Sequence, residues 1–314
     1  MHQLPSDEER LSISKQIKEK LAKLNLIEIK DWFELVDLPD TSEATVIDII
    51  GKIRSYIGYL TLPVATHRLY RCRPLNKDEN PPVLLSGLLS PPIKKTKQGR
   101  CNFAEKPVLY VSDNPSILSQ ECHIAAGQQF VILQFNHLPV PDVKEDITCM
   151  LLGIEPTYLF KNNPAIESVE KFRVEFFGSD YNKVREIERQ LHKYFVRDDD
   201  PSGLTYKLTA HLCDHLFFKN QNLEAIFYPS IATNGVGNNY AIKPGAIDKA
   251  YEPVKAGLYE LSQDGSAKQV DGAILCKEGE IQWGKDEAID SPIPIGIKQI
   301  DPNDPDIYIA PWKK

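Results

Sequence analysis

Between Gly99 and Glu121 an arginine, a tyrosine and a glutamate fall on elements that follow one another directly, the layout of a polar site. Arg100 precedes a short β-favouring run, Val108–Val111, that carries Tyr110, and Ser112, Asp113, Asn114 and Pro115 then supply turn and cap chemistry. The helix predicted from Pro115 puts Ile117, Leu118, Cys122 and Ala125 at helical spacing and leaves Glu121 beside that face. A carboxylate there is either a rim residue reaching for solvent, the commoner case, or one kept for a ligand. Upstream, His67–Arg73 reads as a strand carrying Arg68, Arg71 and Arg73; such arginines are solvated edge charges, or one of them holds an anion. Downstream, Ala225–Tyr228 reads as a strand that Pro229 ends, delivering Ser230 to a Gly/Asn-rich loop.

Several other chemistries lack their residues. No GxxxxGK[ST] run is present, and Gly235 and Gly237 have neither a third glycine nor a following helix, so a phosphate-binding loop is unsupported. His211 and His215 lie one helical turn apart, but no glutamate completes HExxH and the flanking Leu212, Leu216 and Phe217 favour a packed helix over a metal site. Ser230 has no GxSxG elbow around it. The six cysteines, Cys72, Cys101, Cys122, Cys149, Cys213 and Cys276, show no CxxC spacing and suit reduced thiols.

The elements that must position these residues fall into three segments. Residues 1–62 read as a helical N-terminal extension: an amphipathic helix over Ser12–Asn25, a second around Asp31–Val36 and a third over Ser42–Tyr59. Its apolar faces serve as support for the next domain or, less commonly, as a partner surface. Residues 63–250 form the domain with the site, with a long Pro/Lys-rich loop over Asn76–Gln98, a central strand at Phe130–Phe135, and helices over Tyr181–Phe195 and Ser202–Lys219. Thr148–Phe160 is ambiguous, and residues 251–314 read as a β-rich appendage. A chain of 314 residues with 42% hydrophobic content buries a substantial core, and a net charge of −7 disfavours nucleic acid as a partner. The start of the chain lacks a signal-peptide pattern and no stretch reaches membrane-span length, so a cytoplasmic protein without membrane contact is expected.

The chain resembles a RES domain, a family named for arginine, glutamate and serine. The resemblance rests on Tyr70-Arg71, Gly99-Arg100-Cys101-Asn102, Leu109-Tyr110-Val111-Ser112, Glu121, and Tyr228-Pro229-Ser230 with Asn239 beyond, in that order across residues 66–248. Cys101 stands where the family usually has tryptophan, and Ala104-Glu105-Lys106 where a glycine is common. The resemblance implies an α+β fold like that of ADP-ribosyltransferase toxins, with a mixed, largely antiparallel sheet. It also implies an enzyme that consumes NAD by phosphorolysis, hydrolysis or ADP-ribosyl transfer, needs no metal, and acts as a toxin on a target protein or is silenced by a protein antitoxin.

On that resemblance, Glu121, Arg100, Tyr110 and Ser230 are the catalytic candidates, and Arg71, Tyr70, Arg100, Asn102, Ser112 and Asn239 the NAD-binding ones. Breaking the nicotinamide–ribose bond passes through an oxocarbenium-like centre, which calls for an anion at the ribose, cations at the diphosphate and an aromatic wall. Glu121 would supply the first, Arg71 and Arg100 the second and Tyr110 the third, with Ser230 bonding nicotinamide or ribose. The alternative is a catalytically inactive module that senses NAD or ADP-ribose or binds another protein.

Overall fold

The computed structural model describes residues 7–54, 56–57, 61–64, 66–139, 145–153, 164–197, 204–219, 222–230 and 238–284. The loop expected after Ser230, residues 231–237, lies outside the described residues, as do the acidic break at 198–200 and the proline-rich end of the chain. The fold is mixed α+β, with a large, mostly antiparallel sheet and helices on it.

The strands are β1 (Thr61–Pro63), β2 (Arg68–Pro74), β3 (Leu109–Ser112), β4 (Gln129–His137), β5 (Thr148–Leu151), β6 (Ala225–Pro229), β7 (Asn238–Ile242), β8 (Tyr251–Leu261), β9 (Ala267–Leu275) and β10 (Ile281–Trp283). They form one sheet in the order β1-β5-β6-β7-β3-β2-β4-β8-β9-β10, and β5 with β6 is its parallel pair. The run FVILQF becomes β4, bonded on one side to β2 and on the other to β8, which explains an apolar strand without polar alternation. The weak point of the ladder is β2 against β3, which meet through Tyr70 and Ser112 alone.

Helices α1 (Asp7–Lys23), α2 (Leu26–Asp37) and α3 (Glu43–Ile53) precede the sheet. Asn25 and Ser42 cap α2 and α3 by accepting from the backbone N–H of Glu28 and Thr45. The short α4 (Leu118–Glu121) follows β3 through a 3-10 turn, and α5 (Pro164–Phe177), α6 (Tyr181–Val196) and α7 (Leu204–Lys219) lie between β5 and β6 in the chain. No helix among the described residues is long and apolar enough to cross a membrane.

Period-two alternation divides the core. Leu109, Val111, Phe227, Tyr240 and Ile242 face one cluster with Leu69, Val131 and Leu133, whereas Ile226, Tyr228 and Ala241 face the helices. Leu21, Ile29, Trp32, Phe33, Val36, Val46, Ile49 and Ile53 of the N-terminal helices share that second cluster with Val184, Ile187, Leu191, Leu208 and Leu212 of α6 and α7. The N-terminal helices therefore complete a helical layer in support of the domain with the site, because an amphipathic face finds its stability against another apolar face.

Other readings shift as well. The helix from Pro115 stops after Glu121, since His123 adopts a left-handed backbone (φ 50°) and Ile124 N–H bonds back to Ser119 O, so Ala125 is exposed and not on an apolar face. The ambiguous stretch from Thr148 begins with β5, and α5 falls where no helix was anticipated. The segment expected as a C-terminal appendage opens with β8, which pairs with β4 along Gln129–His137 and so continues the sheet. The long loop after Asn76 is tied to the last hairpin: Leu85 N–H donates to Gly279 O at 2.7 Å, Ile281 N–H to Val83 O at 2.8 Å and Trp283 Nε1–H to Pro82 O at 2.9 Å.

Candidate functional site

Where β2 and β3 part, a cavity of about 700 Å³ opens beside Tyr110 and is lined by Arg71, Cys72, Gln98, Gly99, Arg100, Tyr110, Val111, Leu118, Gln120, Glu121, Cys122, His123, Tyr206, Tyr228 and Asn239. That size suits a metabolite or a dinucleotide. Among the residues singled out in the sequence, Arg71, Arg100, Tyr110, Glu121 and Asn239 line it directly. Ser230, fully buried at the end of β6, reaches it indirectly by donating a hydrogen bond from Oγ to Glu121 Oε1.

Arg71 spans the split in the sheet. Its Nη1 donates to Tyr110 O at 3.1 Å, in place of the ladder bond that β2 no longer provides, and its Nε donates to Leu88 O at 2.8 Å. Leu88 is itself held by the loop that the β9–β10 hairpin pins, so the C-terminal strands support this arginine from a distance. Burial lowers the pKa of the guanidinium, because desolvation penalises its charge. Of its neighbours, Arg68 is exposed and Arg73 pairs with Glu79 at 2.5 Å.

The Gly99–Asn102 turn is built around Tyr110. The phenol donates to Asn102 Oδ1 at 2.8 Å and accepts from Cys101 N–H at 2.8 Å, while Asn102 Nδ2 donates to Lys97 O and Phe103 O. A Cβ on Gly99 would meet Asn102 Oδ1 at 2.7 Å and the Tyr110 hydroxyl at 2.8 Å, so this lock needs glycine. Burial pushes the Tyr110 phenol well up, which keeps it a donor. Asn102, expected to bind ligand, spends its amide on the turn.

Arg100 is buried and committed to α6: Nη1 donates to Tyr194 O at 2.8 Å and Nη2 to Arg197 O at 3.2 Å, two carbonyls at the end of the helix. A cation at that terminus satisfies orphan acceptors and complements the helix dipole. Its guanidinium also lies 5.1 Å from the centre of the Tyr206 ring. The expected phosphate clamp is thus occupied by the protein at both terminal nitrogens. Ser112 has a comparable inward role, donating to Asn238 O at 2.6 Å and accepting from Asn114 N–H, which joins β3 to β7. Tyr70 packs with Leu118, Phe130, Ile132 and Tyr259 and is not among the lining residues.

Asn239 differs from these. It is 5% exposed, it lines the cavity, and its Nδ2 has no hydrogen-bond partner among the described residues. Tyr206 of α7 and Tyr228 of β6 form aromatic walls, with Tyr228 edge-on to Tyr110 at 6.4 Å between centroids. Tyr206 gave no sequence signal, because one tyrosine in a helical pattern reads as packing. His211 and His215 turn to α3 and its cap, with His211 Nε2 3.0 Å from Glu43 Oε1 and His215 Nε2 2.7 Å from Arg54 Nη1. Compared with models of known protein families and with curated proteins, the chain matches none.

Proposed function

We propose that the chain cleaves the bond between nicotinamide and ribose in NAD. The observation that carries the reading is a carboxylate, Glu121, oriented by the Ser230 hydroxyl in one cavity with the Arg71 guanidinium and three tyrosines. In this reading Glu121 stabilises the cationic ribose as nicotinamide departs, and Ser230 holds the carboxylate in place. Arg71 keeps Nη2 for a phosphate oxygen, Asn239 Nδ2 donates to a ligand acceptor, and the tyrosine rings flank the base. The protein antitoxin or target protein implied by the RES resemblance, and a cytoplasmic setting, belong to the same proposal. The test is incubation of the purified chain with NAD, with and without inorganic phosphate, followed by chromatography of the products. Release of nicotinamide is expected, with ADP-ribose or its phosphate as the second product; intact NAD under all conditions sinks the reading.

A second reading, a module that binds NAD without cleaving it, is favoured by the commitment of Arg100 to the end of α6, which removes one expected phosphate contact. It predicts saturable NAD binding by calorimetry with no nicotinamide released.

A further inference from the structure

The cavity wall holds two thiols that pack in one cluster. Cys72 on β2 and Cys122 at the end of α4 both line it, and Cys122 packs against the cluster that contains Cys72, Leu118 and Tyr259. Cys72 is buried, whereas Cys122 is half-buried and open to the cavity. A second pair, Cys101 and Cys213, lies sealed in the helical core at 1% and 0% exposure and does not line the cavity. The geometry points to Cys122 as a hydroperoxide-reactive thiol whose oxidation is resolved by Cys72, forming a disulfide in the cavity wall beside Glu121.

The electrostatics agree. The neighbouring Cys72 thiol pulls the Cys122 thiol below its ordinary pKa, against burial, and the Arg71 guanidinium adds to the pull while the Glu121 carboxylate opposes it. Cys213 is pushed well up by burial. In the first step the Cys122 thiolate attacks one peroxide oxygen; an S–O bond forms, the O–O bond breaks, and the departing hydroxide takes up a proton as water. In the second step Cys72 gives up its proton and its sulfur attacks the Cys122 sulfenic acid; the S–S bond forms, the S–O bond breaks, and a second water leaves. Two thiols lose two electrons and one peroxide becomes two waters. Because Cys122 directly follows Glu121, the crosslink ties that end of α4 to β2 and moves the carboxylate. This last consequence rests on the proposed NAD reading; the disulfide does not.

The test exposes the full chain to hydrogen peroxide, blocks remaining thiols with N-ethylmaleimide after denaturation, and reads the peptides by mass spectrometry. A Cys72–Cys122 crosslink reversed by dithiothreitol is expected, and in the native reduced protein Cys122 should be alkylated at least about tenfold faster than Cys101 or Cys213. In Cys72→Ser, dimedone should trap Cys122 as the sulfenic acid. The assignment is overturned if Cys122 remains a thiol while Cys101 and Cys213 crosslink, or if dimedone leaves Cys122 unlabelled in Cys72→Ser. A crosslink in a protein that releases no nicotinamide when reduced refutes the enzyme reading and leaves the thiol assignment standing; turnover without a crosslink does the reverse.

Discussion

The two walls of the cavity are made of similar residue types used in opposite ways. On the Gly99–Tyr110 wall the polar groups close on one another: the Tyr110 hydroxyl on Asn102 and Cys101, the Asn102 amide on two carbonyls, Arg100 on the end of α6. On the facing wall, Glu121 accepts from the Ser230 hydroxyl and lines the cavity, Cys122 and His123 open to it, and Asn239 holds a buried donor with no partner among the described residues. One wall is scaffold and the other is where a ligand would be met. A residue pattern alone does not separate these roles, since Arg100, Asn102, Tyr110, Glu121 and Asn239 follow one another in the expected order whichever wall they build.

The sharpest way to break the contrast is at Glu121. Under the proposed reading, Glu121→Gln keeps the size and an acceptor for Ser230 but removes the charge needed most in the transition state. Turnover should then fall about a hundredfold or more while the calorimetric Kd for NAD changes little. A variant that turns over at the wild-type rate removes Glu121 from catalysis. On the scaffold wall, Arg100→Ala should act first on stability. It strands two helix-terminal carbonyls and leaves a void where a buried guanidinium stood, so a loss of about 1.5–3 kcal/mol is expected in urea melts. Weakened NAD binding at unchanged stability would instead make Arg100 a ligand clamp.

Asn239→Leu tests the facing wall in the opposite direction. Its Nδ2 has no partner among the described residues and is buried at a cost on the order of 1–3 kcal/mol, so an apolar side chain of similar size should leave the melting temperature unchanged or raised. NAD affinity should fall about tenfold if that donor serves the ligand. A drop in both shows that Asn239 belongs to the scaffold.

Much of this arrangement is legible in the sequence where the signal is local. The apolar run of β4, the strand that carries Tyr110 and the turn after it follow from periodicity and turn chemistry over a few residues. What escapes is non-local. Arg100 finds carbonyl acceptors 94 and 97 positions away, and a backbone acceptor has no residue type by which to announce itself. The membership of β8–β10 in the sheet, and through them the support of Leu88 and Arg71, depends on pairing across more than a hundred residues. Tyr206 becomes a wall only because the fold brings the start of α7 to the cavity beside Tyr110 and Arg100.

The smallest expected effect lies at the joint between the walls. Asp113 opens the turn after β3 and accepts from Asn238 Nδ2 at 2.8 Å, which adds a side-chain link to the backbone pairing between β3 and β7, the strand that carries Asn239. Burial raises its carboxyl to about 6, partly offset by that hydrogen bond. A raised carboxyl means that the folded state binds the proton more tightly than the unfolded chain. The stability this group contributes is fully present below about 3.8 and is lost as pH rises through about 6. Asp113→Asn keeps an acceptor for Asn238 and removes the titration. The difference in melting temperature between variant and wild type should therefore move in favour of the variant between about pH 4 and 6 and level off above that range. Other carboxylates, such as Glu79 with its lowered pKa, shape both curves alike and cancel in the difference. A difference that stays flat across this range would mean that the Asp113 carboxylate is solvated and that the joint between the walls is open to water.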